Sequence, residues 1–169
     1  MADLNAIDKY INKIHAKILA NQNLCKLLKY NYDDPLAEPD LTDTSIIYTD
    51  KQDQRLFYTP YSDEIQSKTK STLNVVVPIF EIDRDSKYFK NFTIDFVMMF
   101  SHEIWMIDDN SGLIKQRASA VLYELVNTFM DHRSAIGKDI FELATMVRTP
   151  NGRVSGYKLC LGAKDLPSL

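Results

Sequence analysis

Three histidines, His15, His102 and His132, are the side chains best suited to proton transfer or metal binding near neutral pH, and each falls in a different predicted element. No HExxH run, no histidine pair at helical spacing and no His/Cys cluster occurs, so zinc has no ligand set. His15 adjoins Ile14 on a predicted helix, where a packing role is expected. His102 follows directly on a predicted buried strand, where a hydrogen-bonded structural imidazole is expected rather than a general base. The five glycines draw neither a P-loop nor a GxGxxG cradle, and no GxSxG elbow marks a hydrolase. The loop Asp108-Asp109-Asn110-Ser111-Gly112 lacks the later bidentate Glu of a calcium loop and reads as a turn, with Asn110 or Ser111 capping the helix that follows. One carboxylate pair remains. Asp95 and Glu142, on separate predicted strands, would have to meet across a sheet to hold Mg²⁺ as in a metal-dependent nuclease. Asp95 has no Glu-x-Lys partner, and lone acids on a sheet face are common. No catalytic, cofactor-binding or metal-ligating residue is assigned, no cofactor is expected, and the chain is expected not to be an enzyme.

Elements that would carry such chemistry must come from one domain. The 169 residues are 45% hydrophobic and 25% charged, which fits a single packed core burying about 70% of the unfolded surface. A net charge of −3 argues against a general nucleic-acid coat. Cys25 and Cys160 stand far apart and read as small buried side chains in a reducing compartment. The start, Met-Ala-Asp-Leu-Asn, puts an acid where a signal peptide carries positive charge, so none is expected, and apolar runs such as Val75 to Phe80 are far short of a membrane span, so no membrane partner is expected.

Residues 1–30 predict helices. Leu4, Ile7, Ile11, Ile14 and Ile18 form one stripe, Lys9, Lys13 and Lys17 another, and Asn23 is positioned to cap a second helix through Leu24, Leu27 and Leu28 that Tyr30 closes. Lys26 and Lys29 extend a basic side that reads as a solvated helix face. Residues 31–71 read as an extended excursion or arm. Pro35 and Pro39 stand among carboxylates, and with the apolar clusters Ile46-Ile47-Tyr48 and Leu56-Phe57-Tyr58 the segment is expected to hold one or two short strands. Residues 72–165 predict a sheet: Leu73–Phe80 with an edge position or bulge at Pro78, and a central strand alternating Phe92, Ile94, Phe96, Met98 and Phe100. A helix is expected over 113–130, then an Asn151-Gly152 hairpin returning through Val154 to Leu161. Residues 166–169 are a short tail. The order predicts an α+β fold, an antiparallel sheet with an N-terminal helix and a second helix packed on it, plus the long loop and short-strand excursion.

From Phe92 to Leu161 the chain resembles the head–tail joining proteins of tailed bacteriophages, most of all tail terminators and related tail completion proteins. The resemblance is carried by Phe92-Thr93-Ile94-Asp95-Phe96-Val97, Ser101-His102 with Trp105, the helix Arg117 to Phe129, Ile136-Gly137 and Gly156-Tyr157, and by Leu27-Leu28-Lys29-Tyr30 with Asp34-Pro35-Leu36. It implies a structural virion subunit at the neck, assembled in the host cytoplasm into a ring, commonly a hexamer. Such a ring ends the tail tube and joins it to the head connector or stopper protein, while genomic DNA passes through the lumen without sequence-specific binding. A head-completion, stopper or connector ring is the related alternative, and the nuclease is the alternative of another class. A closed ring requires a heterologous interface. The candidate subunit-interface residues are Asp34, Pro35, Leu36, Phe57, Tyr58 and Tyr61 in the excursion, and Pro150, Asn151, Gly152 and Arg153 at the hairpin.

Overall fold

The first apolar stripe forms helix α1 (Asn5–Ala20), burying Tyr10, Ile14 and Ile18 while Lys9, Asn12 and Ala16 face outward. The computed structural model describes residues 5–58, 70–82, 89–108, 112–113, 115–130, 138–148 and 153–166. Helix α2 (Gln22–Lys29) follows at once. Its N-cap is Asn21 and not Asn23: Asn21 has extended backbone, and its side-chain oxygen accepts from the Leu24 N–H at 2.9 Å. That geometry places Asn23 inside the first turn, where its amide instead reaches Glu124 at 3.3 Å. Asn21 also donates to Glu124 and Thr128, so one residue both starts α2 and docks it on a later helix. Tyr30 closes α2 as expected.

Of the two apolar clusters that suit one or two short strands, Ile46-Ile47-Tyr48 is instead a helical turn, α3 (Ile46–Thr49). The Asp43 carboxylate accepts from the Ser45 N–H, and the Ser45 carbonyl then accepts from Tyr48 and Thr49. Local side-chain bonding of this kind outweighs the β preference of two isoleucines. The expected short strand does form as β1 (Leu56–Phe57).

The main sheet holds β1, β2 (Ser71–Ile82), β3 (Phe89–Ser101), β6 (Lys138–Arg148) and β7 (Val154–Leu166) in the order β1-β2-β3-β7-β6. Its four long strands pair antiparallel; β1 adds two residues parallel to β2. Pro78 falls in a break of register between Val76 and Ile79, the bulge expected of a residue that cannot donate to the ladder. Between β3 and the next helix, a 3-10 turn (His102–Ile104) leads to β4 (Met106–Ile107), which pairs with β5 (Lys115–Gln116). Helix α4 (Arg117–Met130) therefore starts at Arg117, four residues after the expected Leu113, because 115–116 are held in this small ladder.

Ala118, Val121, Leu125 and Phe129 form the predicted buried stripe of α4. They meet the sheet face carrying Leu73, Phe96 and Leu159, with Phe96 and Phe129 ring centroids 5.1 Å apart. The whole is the expected α+β fold, with the helices on one sheet face. At about 3.3 Å per residue the long strands run roughly 36–43 Å, whereas α4 at about 1.5 Å per residue spans roughly 21 Å. Two further features were expected, the turn at 83–87 and the caps at Asn110 and Ser111; they lie outside the described residues, as do His132, Gly137 and the hairpin tip.

Candidate functional site

Asp34, Pro35 and Leu36 sit on a loop that a buried lysine holds in place. Lys26, 6% exposed, donates to the carbonyls of Leu36 and Glu38 at 3.0 and 2.9 Å and pairs with Asp40 at 3.2 Å. Gln22 adds a two-way bond to the Leu41 backbone. The loop thus lies against α2, with Pro35 buried and Leu36 exposed. The predicted solvated face at Lys26 and Lys29 is absent: both ammonium groups turn inward, Lys29 to Asp53 at 3.0 Å.

Two arginines tie the segment on from beneath. Arg55 pairs with Asp53 at 2.8 Å and donates to Asn31 at 3.1 Å. Burial alone would raise the Asp53 carboxyl, but its bonds to Lys29 and Arg55 outweigh that and hold it below the usual range. Arg117 has no solvent exposure and donates to four backbone carbonyls: Ile104 at 2.8 Å, Leu27 at 3.2 Å, Tyr30 at 2.7 Å and Tyr32 at 2.5 Å. Burial, with nearby Arg55, pushes its guanidinium down to about 10, still charged at neutral pH. Two of those carbonyls belong to the end of α2, where helix geometry favours a cation.

Above this layer a groove of about 670 Å³ opens between α2, the Leu36 loop, β5 and the first half of α4. Leu27, Leu36, Ala120 and Tyr123 give it an apolar lining, and Lys115 and Glu124 stand at its polar positions. Leu36 and Tyr123 are 39% and 64% exposed, apolar surface with no cover among the described residues.

The family model named YomW matches residues 21–160. The chain belongs to the YomW family. The family is of phage origin, and the match spans every element of the groove. No curated protein and no solved structure matches the chain. Helix α1 lies wholly before the matched stretch.

The other candidates in this YomW chain are spread over the fold. Phe57 and Tyr58 lie at β1, away from the groove lining, with the Lys70 ammonium 5.7 Å from the Phe57 ring centre. Arg153 is exposed at the start of β7, while Tyr61, Pro150, Asn151 and Gly152 lie outside the described residues. His102 bonds to Ser155 at 2.9 Å and meets Trp105 edge-on, the structural imidazole expected. The register places Asp95 and Glu142 on either side of Cys160, two strand spacings or about 10 Å apart along the backbone. Asp95 is buried and paired with Lys158 at 2.5 Å, so a cation there would have to displace the lysine. Among the described residues no three of His, Cys, Asp and Glu gather as a metal site, and no helix is long and apolar enough to cross a membrane. Cys25 is fully buried, its thiol pushed up to about 12, but Cys160 is half-exposed, contrary to expectation.

The sequence reading missed Lys26, Arg55 and Arg117 as buried cations. A signal existed for Arg117: it stands four residues before Val121 and eight before Leu125, on the stripe that faces inward.

His15 is more than a packing residue. Its Nδ1 lies 2.6 Å from the Tyr58 hydroxyl, and Tyr48 meets both rings edge-on. Burial holds His15 below the ordinary histidine value and pushes Tyr58 up. A base whose folded pKa is lowered binds fewer protons in the folded state. Stability from this group is therefore full above the unfolded value of 6.5 and falls as pH drops through the lowered folded value. In urea titrations the midpoint of the wild type should fall between pH 7.5 and 5.5 by more than that of His15→Gln; equal shifts would remove His15 as the cause.

Proposed function

We propose that this chain is a structural subunit of a phage neck, a ring that ends the tail tube and joins it to the head connector. One observation carries the reading beyond the phage origin of the family: the sheet strands are about twice as long as the helix laid on them. A sheet that overruns its helical cover offers strand length to neighbouring subunits. The resemblance noted from the element order agrees with this, and a closed ring of six subunits would use such flanks as its joints.

Deleting the gene from its phage tests the reading. Tails of uncontrolled length, or tails without heads, are the expected result, and electron microscopy with an antibody should place the chain at the head–tail junction. Normal, joined tails in the deletion would overturn it.

A further inference from the structure

The main sheet finishes differently on its two sides. Towards β1, strand β2 carries Pro78 in its break of register, a residue with no N–H to offer an incoming strand. On the far side β6 (Lys138–Arg148) comes last, 11 residues with neither proline nor glycine. Among the described residues it has a strand on its β7 side only. A long edge of this kind is a template for another strand.

The register says which strand. Glu142 pairs with Cys160 and Thr145 with Lys158, so across this interval β6 holds one residue more than β7, a bulge at Leu143-Ala144. The extra residue reverses the alternation of faces. Asp139 and Phe141 before it share a face with Met146 and Arg148 after it, all four being partners of odd-numbered β7 residues. Ile140, Glu142, Thr145 and Val147 share the other face.

Two copies of β6 laid antiparallel about a two-fold axis normal to the sheet must set like faces opposite each other. With bulge against bulge, one register does so and also matches charge. It puts Asp139 opposite Arg148 at both ends, Ile140 opposite Val147, Phe141 opposite Met146 and Glu142 opposite Thr145. Sliding by two positions either way keeps the faces matched and loses the charge match, setting Asp139 opposite Met146 or Arg148 opposite Phe141.

We propose that β6 pairs with β6 of a second copy of this chain in that register, joining two sheets into one. The backbone ladder supplies the attraction, and the Asp139–Arg148 positions fix the alignment. The pair goes beyond the neck reading and does not depend on it. A two-fold contact closes on itself, so it is not the head-to-tail joint of a ring. Where a ring takes up β6, the pair is the form the chain keeps before assembly.

Light scattering coupled to size exclusion on the full chain should give twice the chain mass of 19.5 kDa, falling to that mass on dilution. Asp139→Arg sets like charges opposite each other at both ends of the ladder, as does Arg148→Asp, and each should weaken pairing by about tenfold. An equal mixture of the two variants should pair as the wild type does, because each then meets its opposite at both ends. The double variant, with the two charges exchanged, should pair with itself. Circular dichroism melts establish that each single variant is folded. Amide hydrogen exchange across 138–148 should slow as the wild type is concentrated. A wild type that stays monomeric when concentrated overturns the pair, as does exchange in β6 that ignores concentration. So does an assembly of any size that both reversals leave intact, or one that neither the mixture nor the double variant restores. These outcomes leave the neck reading standing, since the gene deletion tests it separately.

Discussion

Replacing Arg117 by methionine should cost at least about 3 kcal/mol, enough to lower the melting temperature of a chain this size by about 10 °C. Buried ion pairs are often replaceable by apolar side chains of similar volume, because both partners can be changed at once. Here the partners are main-chain carbonyls of Ile104, Leu27, Tyr30 and Tyr32, which no substitution removes. Each buried carbonyl left without its donor costs about 1–3 kcal/mol. The loss also spreads beyond Arg117 itself: the end of α2, the Tyr32 loop and the 3-10 turn before β4 all converge on this side chain, and they support the groove. Arg117→Lys keeps the charge but replaces a planar fork by a single ammonium, so it should recover only part of the loss. Urea unfolding of the three proteins measures this. A methionine variant within about 1 kcal/mol of wild type would show that the carbonyls find other donors.

The sheet and its helices were legible in the sequence because their signals are local. The alternation from Phe92 to Phe100 and the stripe from Ala118 to Phe129 need no partner to be read, and Ile94, Phe96, Met98 and Phe100, like the α4 stripe, are buried in the core as those patterns assign. Pro78 announced its bulge for the same reason: a missing N–H is a property of one residue. The groove was legible only in part. Asp34, Pro35 and Leu36 stood out as prolines and acids in a loop, but the lining from Ala120 and Tyr123 comes from a helix more than eighty residues later. Buried cations mislead a pattern reading most. Lys26 looks like one more lysine on a solvated face until the carbonyls of Leu36 and Glu38 are seen to fold over it. The short turn at Ile46 failed for a different reason. Two β-branched residues suggest a strand, and only the hydrogen bonds of Asp43 and Ser45 reverse the choice.

Gly156→Ala should be at least as damaging, by a wholly steric route. Gly156 lies opposite Met99 in the β3–β7 ladder, and a β-carbon added there would stand 1.7 Å from the Met98 carbonyl oxygen and 2.7 Å from its carbon. Those atoms are backbone of the central strand, so no rotamer change relieves the contact. The two strands must part locally, giving up ladder hydrogen bonds in the middle of the sheet, at a cost above about 3 kcal/mol. Gly112 provides the contrast. It has φ +71 with open space around it, so alanine there meets only the left-handed backbone penalty of about 1–2 kcal/mol. Glycine at 112 is thus a matter of backbone angle, and at 156 a matter of room for β3. Chemical denaturation of both variants should rank Gly156→Ala well below Gly112→Ala, with the former recovered largely insoluble or with reduced strand content by circular dichroism. The reverse order would mean that β3 and β7 separate readily at this point. The close approach at Gly156 would then be no constraint on the sheet.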